Sequence, residues 1–413
     1  MLVLLLLLAP SAALASFPPS PPLFSWDTVP VFMHSGNGTG PLNAAAAAFM
    51  AKFSLVTMPG YEGNENCSTN FSCCNEGKIA QFARSVKAVN STARVMYYQN
   101  GLINFPQTVL GRLTNSSIPE SFLLHDNNGR LVYLGGCGSH HAAPNHTLYD
   151  HRQAAMREAW VENIVDVLRS NANGLIDGVF ADRSGSIASL LTKDLSCYKF
   201  GHNFANEWDR GHWQAIANTQ AALSALTPTA IVIGNHAEAT AAMRLAEPNV
   251  SWSGKMFEHF TPVRPYIPAG NQLNALRADA RYSGGLVVEA HVDFCSFNTT
   301  TGSAAELSMY RRSLAAFLIG AGPYAYYACT KGWGYHDGWN RWSADYDRPL
   351  GAPNGSAVKT KTGWRRSFAS GTQVWLDTDD ATDSLWGSSC IRWADGHVTK
   401  SGKLCAKEAF VTR

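Results

Sequence analysis

The chain has no charge to spare in either direction. Its 33 Lys and Arg nearly cancel 31 Asp and Glu, for a net of +2. That balance argues against a nucleic-acid partner and leaves no electrostatic signal for a membrane surface. Beyond the first residues nothing reads as a membrane span, because Gly320, Gly322 and Pro323 break the apolar stretch 314–328 into a helix end and a strand. No glycine-rich phosphate loop follows the first apolar run, which disfavours a dinucleotide fold. H-E-x-x-H is missing, and His140-His141 with Asp150-His151 match no standard ligand spacing, so neither metal nor cofactor is expected. Ser184 and Ser186 lack the G-x-S-x-G of a nucleophile elbow. There is no internal repeat.

What is present begins with a secretory leader. Residues 2–8 are almost unbroken apolar sequence, too short to span a bilayer, and Ala13-Leu14-Ala15 is an A-x-A cleavage site. Export would put the mature start near Ser16, with no membrane attachment after the leader is removed. Nine N-x-S/T sequons agree with a secretory route. So do nine cysteines, all downstream of the leader, which should mostly pair in an oxidising compartment. An odd count leaves at least one free or intermolecular. Cys390 with Cys405, and Cys67 with Cys73 or Cys74, are local candidates, but the connectivity stays open.

Short apolar runs then alternate with helical stretches. Strands are expected at 29–34, 54–58, 93–98, 175–181, 230–234, 255–257, 286–288 and 324–329. Helices are expected between them, among them 43–53, 78–89, 152–170, 211–226, 272–282 and 304–319. Eight strands alternating with helices are the pattern of an α/β fold of the (β/α)8 TIM-barrel type, against the alternative of an open doubly wound sheet. The segment 100–150 is too long for a plain connector and should shape a site. After Lys331 the pattern changes to hairpins, with turns at Ser370-Gly371 and Asp395-Gly396. The expected organisation is a leader at 1–15, a barrel at 16–330 and a small C-terminal β appendage at 331–413 packed on it.

In a parallel barrel the carboxyl ends of the strands form the catalytic face. Polar residues sit at several of those ends: His34, Asn100, Asp182, Asn235 with His236, and Glu258, while Glu289 lies on the seventh strand. Asp182 follows the apolar run Val179-Phe180-Ala181 and precedes Arg183. A carboxylate held there could sit under an electron-poor anomeric carbon, and a second one could protonate the leaving oxygen. Glu258, beside Phe257 and Phe260, suits the acid role. Glu289 is its rival, and the plainer reading of Glu289 is a mid-strand residue paired with an arginine. Tyr97 and Tyr98 precede Asn100, and alternation allows only one of them to point inward. Twelve Trp and fourteen Tyr fit a carbohydrate-active protein. Trp333, Trp339 and Trp342 make either a sugar-stacking platform or packing between the barrel and its appendage.

Asp177-Gly178-Val179-Phe180-Ala181-Asp182, Gly234-Asn235 and Met256-Phe257-Glu258-His259 resemble (β/α)8 glycoside hydrolases. The endo-α-1,4-polygalactosaminidase family is similar and the α-galactosidase clan more remotely so. The stretches 346–353 and 364–371 resemble a group of predicted glycosyl hydrolases. In such families the fourth-strand aspartate is the nucleophile and a sixth-strand acid the proton donor, which the resemblance carries onto Asp182 and Glu258. The long inserts at 67–74 and 100–150 depart from that pattern. The expectation is a secreted, retaining glycoside hydrolase acting on a poly- or oligosaccharide. His34, Tyr97, Asn100, Arg183, Asn235, His236, Glu289 and Trp339 are expected around its substrate. The alternative is a barrel that binds carbohydrate without turning it over.

Overall fold

A computed structural model of the chain describes residues 22–34, 42–58, 75–105, 108, 120–137, 146–170, 174–235, 253–261, 272–279, 286–378 and 386–403. The leader, Cys67 to Cys74, His140, His141, His236 and Cys405 lie outside these residues.

Eight parallel strands form one sheet in sequential order: β1 (Met33–His34), β2 (Leu55–Met58), β3 (Arg94–Asn100), β4 (Gly178–Asp182), β5 (Ile231–Asn235), β6 (Gly254–Phe257), β7 (Val287–Val292) and β8 (Ala325–Cys329). Val31 bridges in parallel to Tyr327, so β8 returns to the start and the barrel closes. β1 is shorter than the run 29–34 because Pro30 has no N–H to give to a ladder. Its carbonyl still accepts from Tyr327 N at 3.0 Å.

The strands form where they do because both faces are covered. β2, β3, β5 and β7 are buried along almost their whole lengths. Helices Asn75–Val89, Ala154–Ser170, Phe204–Leu226, Gln272–Asp279 and Ala304–Gly320 supply the outer layer. The last starts at a capping box, Ser303 Oγ accepting from Glu306 N and Glu306 Oε2 from Ser303 N. Helix Phe204–Leu226 begins seven residues before the expected Gly211. That glycine is not a start signal; a Cβ there would lie 2.1 Å from the His151 carbonyl oxygen, so glycine permits a close approach of the turn that leads into helix Ala154–Ser170.

Gly178 has the same role inside the barrel. A Cβ on it would lie 2.0 Å from Ile231 O on the paired strand and 2.7 Å from Met96 Cε. Backbone cannot retreat as a side-chain tip can, so Gly178→Ala should cost about 3 kcal/mol or more. The check is the urea midpoint of the purified variant, and an unchanged midpoint would refute this packing.

A second sheet, order β13-β12-β11-β10-β9, is antiparallel: β9 (Val358–Lys359), β10 (Gly363–Ser367), β11 (Gln373–Thr378), β12 (Trp386–Arg392) and β13 (Val398–Ser401). Gly371 (φ 98°) and Gly396 (φ 86°) occupy the expected turns in left-handed conformations that favour glycine. Helix Ala304–Gly320 joins this sheet to the barrel. Arg366 donates to the carbonyls of Leu318 (3.0 Å) and Ala321 (2.6 Å) at the helix end. Ser389 Oγ donates to Arg311 O at 3.1 Å.

Two disulfides unite distant segments, Cys137 with Cys197 and Cys295 with Cys329. Cys390 is also disulfide-bonded. The described parts of segment 100–150 form a small antiparallel ribbon through Ile103–Leu148, Leu123–Tyr149 and Tyr133–Thr147.

Candidate active site

The site grows from the carboxyl ends of β3 to β6. Along β4, alternation puts Phe180 and Asp182 on the inner face, and both line the same cavity. Arg183 follows in a left-handed conformation, φ 57°, uncommon for a residue with a Cβ. That turn aims its backbone N–H back at Asp182 Oδ1, 2.7 Å away. Tyr98 Oη donates to Asp182 Oδ2 at 2.5 Å, Asn100 Nδ2 donates to the same oxygen at 2.9 Å, and Asn235 Nδ2 donates to Oδ1 at 2.7 Å. Four donors from two strands and a turn therefore hold one carboxylate in a single orientation. A carboxylate accepting several hydrogen bonds is stabilised in its charged form.

Asn235 is 2% exposed at the end of β5, and its amide nitrogen serves two carboxylates. It lies 2.7 Å from Asp182 Oδ1 and 2.7 Å from Glu258 Oε2. The nearest oxygens of the two acids therefore cannot be farther apart than twice that distance. Glu258 directly follows β6, with buried Phe257 and Phe260 on either side of it in sequence. Its backbone carbonyl is 3.1 Å from His291 Nδ1, and His291 Nε2 is 2.7 Å from Thr330 Oγ1. His259, next in the chain, bonds through Nδ1 to Asp293. Burial draws the His259 pKa down, but the Asp293 bond and the charges of Glu258 and Asp293 outweigh it and hold it above the usual imidazole value.

These side chains enclose a cavity of about 200 Å³, whose walls also include His34, Tyr98, Ile103 and Trp333. Ile103 is the contribution of the 100–150 segment. His34 packs against Phe180 at 4.4 Å and Trp333 at 4.8 Å between ring centroids. Burial and the nearby His291 lower its pKa to about 3, against the pull of Asp182, so it is a neutral ring at ordinary pH. Trp333 lies over His291 at 4.2 Å and beside Trp339 at 6.0 Å.

His34, Asn100, Asp182, Arg183, Asn235 and Glu258 thus converge on one cavity. Three expected residues are placed elsewhere. Tyr97 is on the outer face of β3, its hydroxyl 2.6 Å from Gln99 and 3.1 Å from Glu76; the cavity tyrosine is Tyr98. Glu289 points into the barrel interior, fully buried, with neither carboxyl oxygen hydrogen-bonded and no arginine partner among the described residues. Burial pushes its pKa well above the carboxylate range, which makes it a neutral acid outside the cavity wall. Trp339 is 3% exposed, donates to Gly332 O at 2.9 Å and backs Trp333 instead of facing the cavity. Trp342 packs on Phe53 and Tyr346, as the packing alternative had it. His236 lies outside the described residues. Strand alternation counted back from Asn100 and Asp182 would have found Tyr98 and Phe180, whereas no local signal separates Trp333 from its neighbours. No group of three or more His, Cys, Asp or Glu suited to a metal occurs among the described residues.

Residues 87–372 match a family described as hypothetical glycosyl hydrolase family 15. No curated protein matches the chain. Among solved structures, the chain is similar to α-L-fucosidase isoenzyme 2 from Paenibacillus thiaminolyticus, with 13% identity, 78% of this chain and 48% of that one covered, and a TM-score of 0.45. It is also similar to the glycoside hydrolase domain of PelA from Pseudomonas aeruginosa, with 14% identity, 70% and 91% covered, and a TM-score of 0.40. A third is the Nostoc punctiforme debranching enzyme, with 10% identity, 92% and 94% covered, and a TM-score of 0.47. The chain spans about half the length of the fucosidase.

Proposed function

The chain belongs to hypothetical glycosyl hydrolase family 15, and from this we propose that it hydrolyses O-glycosidic bonds with retention of configuration, Asp182 acting as nucleophile and Glu258 as acid/base. One observation carries the reading: a single amide nitrogen, Asn235 Nδ2, bonds both carboxylates. Retaining enzymes hold their acids about 5–5.5 Å apart, and inverting ones about 6.5–9.5 Å to admit a water between them. The shared nitrogen supports the shorter class.

In the first step Asp182 Oδ attacks the anomeric carbon, while Glu258 gives its proton to the departing glycosidic oxygen. The C–O bond to the aglycone breaks and a glycosyl ester on Asp182 forms. In the second step Glu258, now a carboxylate, takes a proton from water, and that water displaces Asp182 from the sugar. Asn235 bridges both acids and orients them. Tyr98 and Asn100 spread charge from Oδ2, Arg183 and His34 position sugar hydroxyls, and Trp333 offers the ring face. The barrel to residue 330 is proposed as the catalytic domain, with the five-stranded sheet as an appendage. A secretory-pathway location is proposed from the leader and sequons, and the pairs Cys137–Cys197 and Cys295–Cys329 support it.

The test is stereochemical. Proton NMR of the first product from a glycoside found by screening should show the anomer of the substrate. A 2-deoxy-2-fluoro glycoside should leave a mass adduct on the peptide containing Asp182. An inverted first product, or an adduct elsewhere, would overturn the assignment.

A further inference from the structure

A second cleft among the described residues lies apart from the one that holds the paired acids. It lies where the barrel meets the five-stranded sheet, with a volume of about 1070 Å³, at the upper end of the range for ligand clefts. The start of helix Ala304–Gly320, the turn Ala344–Asp347 and β13 bound it. Its lining carries Arg311, Arg341, Arg348, His397 and Lys400 against one acid, Asp345. Asp345 is already committed: it accepts from Arg348 Nε (2.9 Å), Thr399 Oγ1 (2.9 Å) and Tyr310 Oη (3.1 Å). Arg348 is committed too, to Asp345 and Asp395. Arg311, Arg341 and Lys400 have no carboxylate partner among the described residues; Arg341 bonds a hydroxyl, Thr301 Oγ1 at 3.3 Å. Three positive charges thus face one hollow in a chain whose net charge is only +2. A smaller hollow of about 200 Å³ shares Phe297, Asn298 and Arg341 with it and adds His336, Asp337 and Lys331, the last paired with Glu306 at 2.9 Å, so the hollow continues toward the loop that carries Trp333.

We propose that this cleft is an accessory binding site for an acidic oligosaccharide, one carrying a carboxylate or sulfate on its sugar units. Guanidinium and ammonium groups match those anions. The rest of the lining is what sugar rings require: hydroxyls from Ser343, Thr399 and Ser401, and aromatic surface from Phe297 and Trp342. The choice of a glycan over another polyanion rests on the glycosidase reading. The cleft contains none of Asp182, Asn235 or Glu258, so ligand bound there would hold a chain near the catalytic mouth without meeting its carboxylates.

Calorimetric titration with an oligogalacturonate of defined length tests this on the full Asp182→Asn protein, which removes turnover from the measurement. The parallel titrants are a neutral oligosaccharide and an oligoglutamate of equal length. Asn298 opens a sequon on the cleft wall, so Asn298→Gln is titrated as well. Expected are binding of the oligogalacturonate alone, a Kd that rises roughly tenfold in Arg341→Ala/Lys400→Ala, and weakening with salt. Both exposed side chains can be removed without touching the core. No binding, equal binding of the neutral sugar or the oligoglutamate, or a Kd indifferent to the double substitution would each overturn the proposal. Failure of the glycosidase reading would show instead as wild-type protein without turnover.

Discussion

Asp182→Asn should lower kcat by at least about a thousandfold, roughly 4 kcal/mol of transition-state stabilisation, while leaving the fold intact. The substitution is nearly isosteric, and its neighbours can adjust: Asn235 keeps Glu258 as an acceptor and Tyr98 keeps Asn100 as a donor. What vanishes is the negative charge and nucleophile under the anomeric carbon. Glu258→Gln should behave differently. General acid–base groups contribute about 10²- to 10⁴-fold, and the loss should shrink for a nitrophenyl leaving group that needs no proton. Azide should rescue the Glu258 variant by attacking the glycosyl ester, giving a glycosyl azide of retained configuration, and should not rescue Asp182→Asn in that way. If both variants keep wild-type rates, the chemistry is elsewhere. If wild type binds oligosaccharide that it never cleaves, and Asp182→Asn binds it equally, the chain is a carbohydrate-binding barrel.

That the polar strand ends could be named from the sequence follows from how a parallel barrel is built. Each strand must be apolar on both faces, so the first polar residue after the run marks where the strand leaves the core. Asp182, Asn235 and Glu258 satisfy this condition, Asn100 follows one residue behind Gln99, and the closure of eight strands brings all four to one rim. What the runs do not reveal is which face each residue takes. Tyr97 and Tyr98 are chemically alike, and the choice between them follows only once Asn100 is placed at the rim beside Asp182, which puts the even-numbered residues of β3 and β4 on the inner face. Glu289 misleads for the opposite reason. It is a carboxyl inside an apolar run, tolerated because burial keeps it neutral instead of because an arginine pairs with it. Trp333 and Trp339 belong to a loop without periodicity, and the division between cavity wall and backing comes from tertiary packing alone. The Asn235 bridge is the part of the site least visible in sequence, since it depends on the spacing of three strand ends and not on any motif.

The same packing makes a second large effect. Stability should fall by about 4 kcal/mol between pH 7.5 and pH 5 from two histidines alone. His34 is held at about 3 by burial and by His291, against Asp182. His151 is held at about 4, mainly by burial, with the Gly101 carbonyl and Asp150 pulling it up and Arg157 down. In the unfolded chain both titrate near 6.5. Below that pH the unfolded state binds protons that the native state refuses, so stability present above about pH 6.5 is lost as pH falls toward the native values. At pH 5 each contributes roughly 2 kcal/mol of that loss, a large part of a typical 5–15 kcal/mol. His212 and His291 are lowered as well, both chiefly by burial, and add in the same direction. His259 opposes them: its raised pKa gives stability that is present below the unfolded value and lost as pH rises through the native one. Urea unfolding at the two pH values measures the sum. His212 separates the cause from general acid lability, because neither of its ring nitrogens has a hydrogen-bond partner among the described residues. His212→Leu should therefore flatten the pH dependence with little loss at pH 7.5. Equal stability at the two pH values, or an undiminished slope in His212→Leu, would contradict the neutral state of these buried rings.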